Sequence, residues 1–129
     1  MNPSYKFTRQ QHLLTAAEYK YVFNKPYKSA DRYLTVLARL NAQDVARLGL
    51  AITKKRAKLA VDRNRIKRLI RESFRHHQSD LVGLDCVVLA KGGTKTTDNR
   101  TLLQSLAKHW QNLSILAPLS ISPSDERES

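Results

Sequence analysis

Residues 60–78 read AVDRNRIKRLIRESFRHHQ, and the organisation of the whole chain turns on this stretch. At about 100° per residue, Ile66, Leu69, Ile70 and Phe74 fall on one arc of a helix, with Ser73 and His77 inside it. Asn64, Lys67, Arg68, Arg71 and Arg75 fall on the opposite arc. The spacing predicts a helix with one stripe for a core and another for a charged partner. Asn64 can both donate and accept hydrogen bonds, among cations that can only donate. The same geometry sets Arg65 beside Glu72, where part of its charge would be neutralised. Arg63 falls at the apolar border, placed to brace a neighbouring loop.

Strand patterns flank this helix. Residues 33–40 (YLTVLARL) alternate, with Leu34, Val36 and Ala38 on one face and Tyr33, Thr35 and Leu37 on the other. Residues 46–53 (ARLGLAIT) alternate again, with Leu48, Leu50 and Ile52 inward. With Asn41–Asp44 as a turn, the two are expected to form an antiparallel hairpin. Downstream, residues 85–91 (DCVVLAK) are apolar enough for the centre of a sheet, and Gly92-Gly93 turns the chain. Asp98 can cap a last helix carrying Leu102, Leu103, Leu106, Trp110 and Leu113 at helical spacing. Near the start, Thr15-Ala-Ala-Glu18 fits a capping box for a short helix that Pro26 ends near Asn24. Residues 1–14, with Phe7 and Arg9, are expected to form an extended arm, and the Pro-, Ser- and acid-rich residues 118–129 a disordered tail. The expectation is one α+β domain over residues 1–117, in the order α-β-β-α-β-α.

The 129 residues are 41% hydrophobic and 26% charged, a globular balance. One cysteine, Cys86, excludes an intrachain disulfide or a multi-cysteine zinc site, and in an apolar strand it reads as a small buried residue. No apolar run approaches the ~18 residues of a membrane span, and residues 1–15 lack the apolar core of a secretory signal. A cytoplasmic protein is expected. The formal net charge of +12 is concentrated: residues 54–75 hold ten basic and two acidic residues, a net of +8, while residues 76–129 are net −1. Crowding like charge costs self-repulsion that a polyanion relieves. Arginine predominates, and its planar fork suits phosphate. An anionic membrane fits poorly, because the stretch lacks Trp and its apolar arc is needed for a core. The run Lys54-Lys55-Arg56-Ala57-Lys58 resembles a nuclear localisation cluster in composition, but its continuity with the helix favours a phosphate-contacting loop. Hydrolysis by the protein itself would need clustered carboxylates or a poised His pair. The acidic residues before the tail are scattered singly, and adjacent His76 and His77 point apart on a helix.

The run Arg63-Asn64-Arg65-Ile66-Lys67-Arg68-Leu69-Ile70-Arg71-Glu72-Ser73-Phe74-Arg75 resembles the signature helix of the bacterial ribonuclease P protein family. Residues 49–55 (GLAITKK) resemble that family's strand ending in a Lys-Lys pair, residues 18–23 (EYKYVF) its first helix, and residues 85–91 its later strand. The resemblance covers about residues 7–116. It implies an α/β sandwich with a left-handed βαβ crossover, against the usual handedness. It also implies the protein subunit of a ribonucleoprotein that removes the 5′ leader of precursor tRNA by endonucleolytic hydrolysis. In such an enzyme the RNA is catalytic and binds the Mg²⁺ ions, while the protein extends recognition to the leader and strengthens metal affinity. The protein alone is expected to be inactive, with no metal site or catalytic residue of its own, and to join the RNA as a monomer in a 1:1 complex. By position, Lys54, Lys55, Arg56, Arg63, Asn64, Arg65, Lys67, Arg68, Arg71 and Arg75 would bind the catalytic RNA. Tyr19, Phe23, Tyr33, Thr35 and Leu37 would line a cleft for the single-stranded leader. Tyr19 stands where some members carry Phe. The runner-up is a non-catalytic RNA-binding module such as a ribosomal protein. A DNA-binding factor is disfavoured by the lack of a compact helix-turn-helix pattern.

Overall fold

Three helices and four strands form among residues 15–116, the part of the chain that the computed structural model describes. The expected arm and tail lie outside those residues. Helix α1 (Ala16–Phe23) begins on the capping box: the Thr15 hydroxyl accepts from the Glu18 amide at 3.2 Å, and the Glu18 carboxylate accepts from the Thr15 amide at 2.6 Å. Next comes a strand that the sequence pattern does not announce, β1 (Tyr27–Ala30). Its four residues, YKSA, carry no apolar alternation, and it forms as an edge by antiparallel pairing with β2 (Leu34–Leu40). Then follow β3 (Arg47–Ala51), α2 (Ala60–His77), a 3₁₀ turn over Gln78–Leu81, β4 (Leu84–Ala90) and α3 (Asn99–Ser114). The order is thus α-β-β-β-α-β-α, one strand more than expected.

The expected hairpin between residues 33–40 and 46–53 does not form. The sheet order is β1-β2-β4-β3, with β4 antiparallel to β2 and parallel to β3. The reason lies in β4, where every residue but Leu89 is buried. A strand so apolar is most stable with a partner on each edge. The chain therefore leaves β3, crosses through α2 and returns in parallel beside it.

One face of the sheet packs against α2 and α3. Leu34, Val36, Leu48, Cys86 and Val88 meet Ile66, Ile70, Phe74, Leu102, Leu106 and Trp110 in one core, as the two periods require. Leu103 is the exception among the predicted α3 positions and turns toward solvent. Phe74 and Trp110 meet edge to face with centroids 5.7 Å apart, and Trp110 Nε1 donates to buried Ser73 Oγ at 2.8 Å. Burial pushes the Cys86 thiol pKa up, so it packs as a small apolar group. The Asp98 side chain caps α3 by accepting from the Thr101 amide.

Polar groups tie the edge strand β1 to α3. Ser29 Oγ lies 2.6 Å from His109 Nδ1 and accepts from Asn112 Nδ2 at 3.1 Å. Just beyond β1, Asp31 Oδ2 accepts from Ser105 Oγ at 2.6 Å and stands 3.2 Å from His109 Nε2. Burial alone would raise the Asp31 pKa. Hydrogen bonds from Ser105 and from the Leu34 and Tyr33 amides outweigh it and hold that carboxyl at about 2. Burial pushes the His109 pKa down, with Asp31 opposing.

Candidate nucleic-acid interface

The loop between β3 and α2 and the outer side of α2 form one basic ridge. The Arg56 and Ala57 amides both donate to Thr53 O, at 3.1 and 3.0 Å, and Ala57 is fully buried. That anchored turn leaves Lys54, Lys55, Arg56 and Lys58 exposed. On the helix, Asn64 and Arg68 are exposed, while Lys67, Arg71 and Arg75 are half-buried on the side away from the core. Arg71 Nε is buried and meets no partner among the described residues. Arg75 pairs with Glu72, which also accepts from His76 at 3.0 Å when that ring is protonated there; these hydrogen bonds lower the Glu72 pKa. The expected Arg65–Glu72 pairing is therefore replaced by Arg75–Glu72, three residues apart on one helix face.

The two arginines of the Arg63-Asn64-Arg65 run turn inward to carbonyls. Arg63 Nη1 donates to Ala57 O at 2.9 Å and to Lys58 O at 2.8 Å, bracing the lysine loop as its border position predicts. Arg65 reaches across to the start of α3, donating to Asn99 Oδ1, to Lys95 O at 3.1 Å and to Thr97 O at 3.2 Å. These contacts tie the basic loop, α2 and the β4–α3 connection to one another. Of the three residues, Asn64 is the one presented outward.

The sheet face opposite α2 and α3 is organised in cross-strand rows, which the strand register defines. The first row is Arg39, Asp85 and Arg47. The second is Lys28, Leu37, Val87 and Gly49, and the third Ala30, Thr35, Leu89 and Ala51. Helix α1 lies over the first two, with Val22 seated on Leu37 and Val87. Leu37 is consequently only 8% exposed. This corrects its expected place on a cleft surface: an apolar residue opposite a helix is covered by it. Tyr33, one residue before β2, packs against the larger core instead of beside Val22. Tyr19 and Phe23, four residues apart, share one flank of α1, and Thr35 lies half-buried in the third row. Tyr19, Ala51 and Leu89 each pack against the cluster of Val22, Leu37 and Val87, while Phe23 is 46% exposed. Leu89, Ala51 and Ala30 stand beside Thr35 in that row; they were missed because only pairing across β4 aligns them, though their alternation within each strand carries the signal.

Tyr19 also has a second task. Its hydroxyl donates to Leu50 O at 3.2 Å and accepts from the Leu50 amide at 2.9 Å, covering the free edge of β3. Among the described residues, no three His, Cys, Asp or Glu side chains gather as the ligands of one metal ion would. No described helix is long and apolar enough to cross a membrane.

A basic ridge braced by its own arginines on one side of the sheet, with Tyr19 and Phe23 of α1 on the other, defines a nucleic-acid-binding domain. The family model described as Ribonuclease P matches residues 7–114. The ribonuclease P protein component of Pectobacterium atrosepticum is 46% identical over 112 residues, 87% of this chain and 94% of that protein. That of Pasteurella multocida is 51% identical over 105 residues, 81% of this chain and 88% of the relative. Among solved structures, the Staphylococcus aureus RNase P protein superposes with a TM-score of 0.73 at 30% identity, covering 79% of this chain and 94% of that one. The Thermotoga maritima protein gives 0.70 at 26% identity, with 78% and 96% covered. The chain belongs to the ribonuclease P protein family, and so to the protein subunits of the tRNA 5′-processing ribonucleoprotein.

Proposed function

We propose that the two surfaces divide the work of the subunit. The ridge of Lys54, Lys55, Arg56, Asn64, Lys67, Arg68 and Arg71 binds the RNA subunit through its phosphates. The groove over Thr35, Leu89 and Ala51, walled by Tyr19 and Phe23, takes the single-stranded 5′ leader of precursor tRNA. Its floor carries little beyond the Thr35 hydroxyl to choose among bases, so stacking dominates. Base–aromatic stacking contributes about 1–3 kcal/mol per base.

In this reading the RNA performs the hydrolysis and chiefly binds the Mg²⁺, and the protein supports metal affinity by holding RNA and leader together. The complex is 1:1 and cytoplasmic. The observation that carries the reading is the separation of ridge and groove onto opposite sides of one sheet, which lets two RNA segments bind at once. Cleavage of precursor tRNA is the test, with protein alone, RNA subunit alone and both together. Cleavage at the mature 5′ end by the protein alone at ordinary Mg²⁺ refutes the division of labour. RNA recovered with the protein from a native lysate gives a second measurement. Enrichment of ribosomal RNA, rather than one structured RNA with tRNA precursors, would instead favour a ribosomal-type module.

A further inference from the structure

Helix α1 has little apolar grip on the sheet. It is eight residues long, and Val22 is its one fully buried side chain. A helix this short has marginal stability by itself, and Val22 with the Tyr19 hydroxyl's bonds to Leu50 leaves its C-terminal end unheld. The ends of the helix are held instead by one row of the sheet. At its N-terminal end, Glu18 Oε2 accepts from Arg47 Nη1 at 2.6 Å. Arg47 is fixed in turn by Asp85, whose oxygens accept from Arg47 Nε and Nη2, each at 2.7 Å. Asn41 Nδ2 donates to the same carboxylate at 2.8 Å and to Val45 O at 3.0 Å, so the buried charge is fully met.

The C-terminal end is held from the other side of Asp85. Arg39 Nη1 donates to Asn24 O at 2.6 Å and to Tyr21 O at 3.3 Å, and its guanidinium stacks 4.0 Å from the Tyr21 ring centroid. A cation at the last carbonyls also complements the helix dipole. Tyr21 adds a hydrogen bond from its hydroxyl to Leu40 O at 2.9 Å. Arg39, Asp85 and Arg47 are register partners across β2, β4 and β3, so both ends of α1 are referred to one line of the sheet.

We propose that this Arg39–Asp85–Arg47 row is a two-ended clamp, and that Arg39 and Arg47 are positioning residues for leader recognition. They set the place of Tyr19 and Phe23 above the open row of Thr35, Leu89 and Ala51 without touching the leader. The inference rests on the reading of that groove as the leader site. It assigns a role to charges that lie away from the basic ridge and that the ridge cannot use.

The test uses full-length Glu18→Gln, Arg39→Met and Phe23→Ala variants, each reconstituted with the RNA subunit. Glu18→Gln keeps the capping box, because Gln at that position still accepts from the Thr15 amide, and it leaves Asp85 paired with Arg47. Three quantities are read: the affinity ratio for leader-bearing over mature tRNA, the affinity for the RNA subunit, and the distance between spin labels on Lys20→Cys and Gln104→Cys. Cys86 is buried and stays unlabelled. The expected result is a shifted or broadened distance for both clamp variants. Their leader preference should fall about three- to tenfold, the scale of a lost charged contact, with RNA-subunit affinity unchanged within about twofold.

If Phe23→Ala lowers leader preference while both clamp variants keep it, the clamp is overturned and the groove reading stands. If Phe23→Ala also keeps it, the groove reading falls and takes the clamp with it. A fall in preference with α1 unmoved overturns the inference too, since Arg39 would then be touching the leader. Loss of RNA-subunit affinity in step with leader preference points to general unfolding and likewise overturns it.

Discussion

Replacing Arg68 and replacing Arg65 should have opposite signatures, although the two residues are three apart on the same basic helix. Arg68 is exposed and meets no partner among the described residues, so its charge is available to a phosphate. Arg65 is committed to Asn99, Lys95 O and Thr97 O. Each phosphate neutralised contributes about 0.7–0.9 to the slope of log affinity against log salt. Arg68→Met should therefore reduce the slope by nearly one and narrow the loss of affinity between 50 and 200 mM salt by about threefold. Its unfolding midpoint should barely move, since an exposed substitution costs about 0.5 kcal/mol or less. Arg65→Met should reduce the slope by less than half as much, while destabilising the fold by about 1–3 kcal/mol through freed carbonyls. Filter binding of the RNA subunit across a salt series, with urea unfolding of the same preparations, measures both. Equal slope changes with unchanged stability would show that Arg65 contacts phosphate and that its inward bonds are dispensable.

Other outcomes follow from contacts already described. Tyr19→Phe should destabilise the protein by about 1–2 kcal/mol in urea unfolding, because both Leu50 groups lose their partner. Its leader affinity should stay near wild type, since the ring remains. Ser73→Ala strands the buried Trp110 N–H and should cost about 1–3 kcal/mol, read by the same method. Asp31 has its folded pKa depressed to about 2, so its contribution to stability is complete above the unfolded value near 3.8 and disappears as pH falls through 2. Asp31→Asn should flatten the stability profile over that window, by about 1 kcal/mol after allowance for solvent screening. A profile as steep as wild type would place the acid sensitivity in other carboxylates.

The helices were legible in the sequence because their signals are local. Thr15 and Glu18 announced α1, Asp98 announced α3, and the wheel gave an apolar arc of Ile66, Leu69, Ile70, Ser73, Phe74 and His77, of which Leu69 and His77 are only half-buried. Periodicity also gave the inner faces of β2 and β3. It could not give pairing, since β2 and β3 look like hairpin partners until β4 competes for both their edges. Within the candidate site, charge located the ridge, and the wheel set Arg65 off the basic arc but gave it Glu72 as partner. Its actual partners lie at the start of α3, some thirty residues away in sequence. The same blindness hid Arg47, one cation among many until Asp85 and Glu18 are seen beside it. Leu37 was misplaced because alternation says which face a residue takes but not whether a helix covers that face.

The place of β4 between β2 and β3 also sets a schedule for synthesis. Thr35 pairs with Leu89 and Leu48 with Cys86, so neither early strand finds its inner neighbour until about residue 90 has left the ribosome. Closing such distant contacts is slower than zipping a hairpin. The apolar arc of α2 waits, uncovered, for the same event. The basic ridge is complete only when nearly the whole domain exists, because Arg65 is braced on the start of α3. A partner that binds only the folded chain then favours it by mass action.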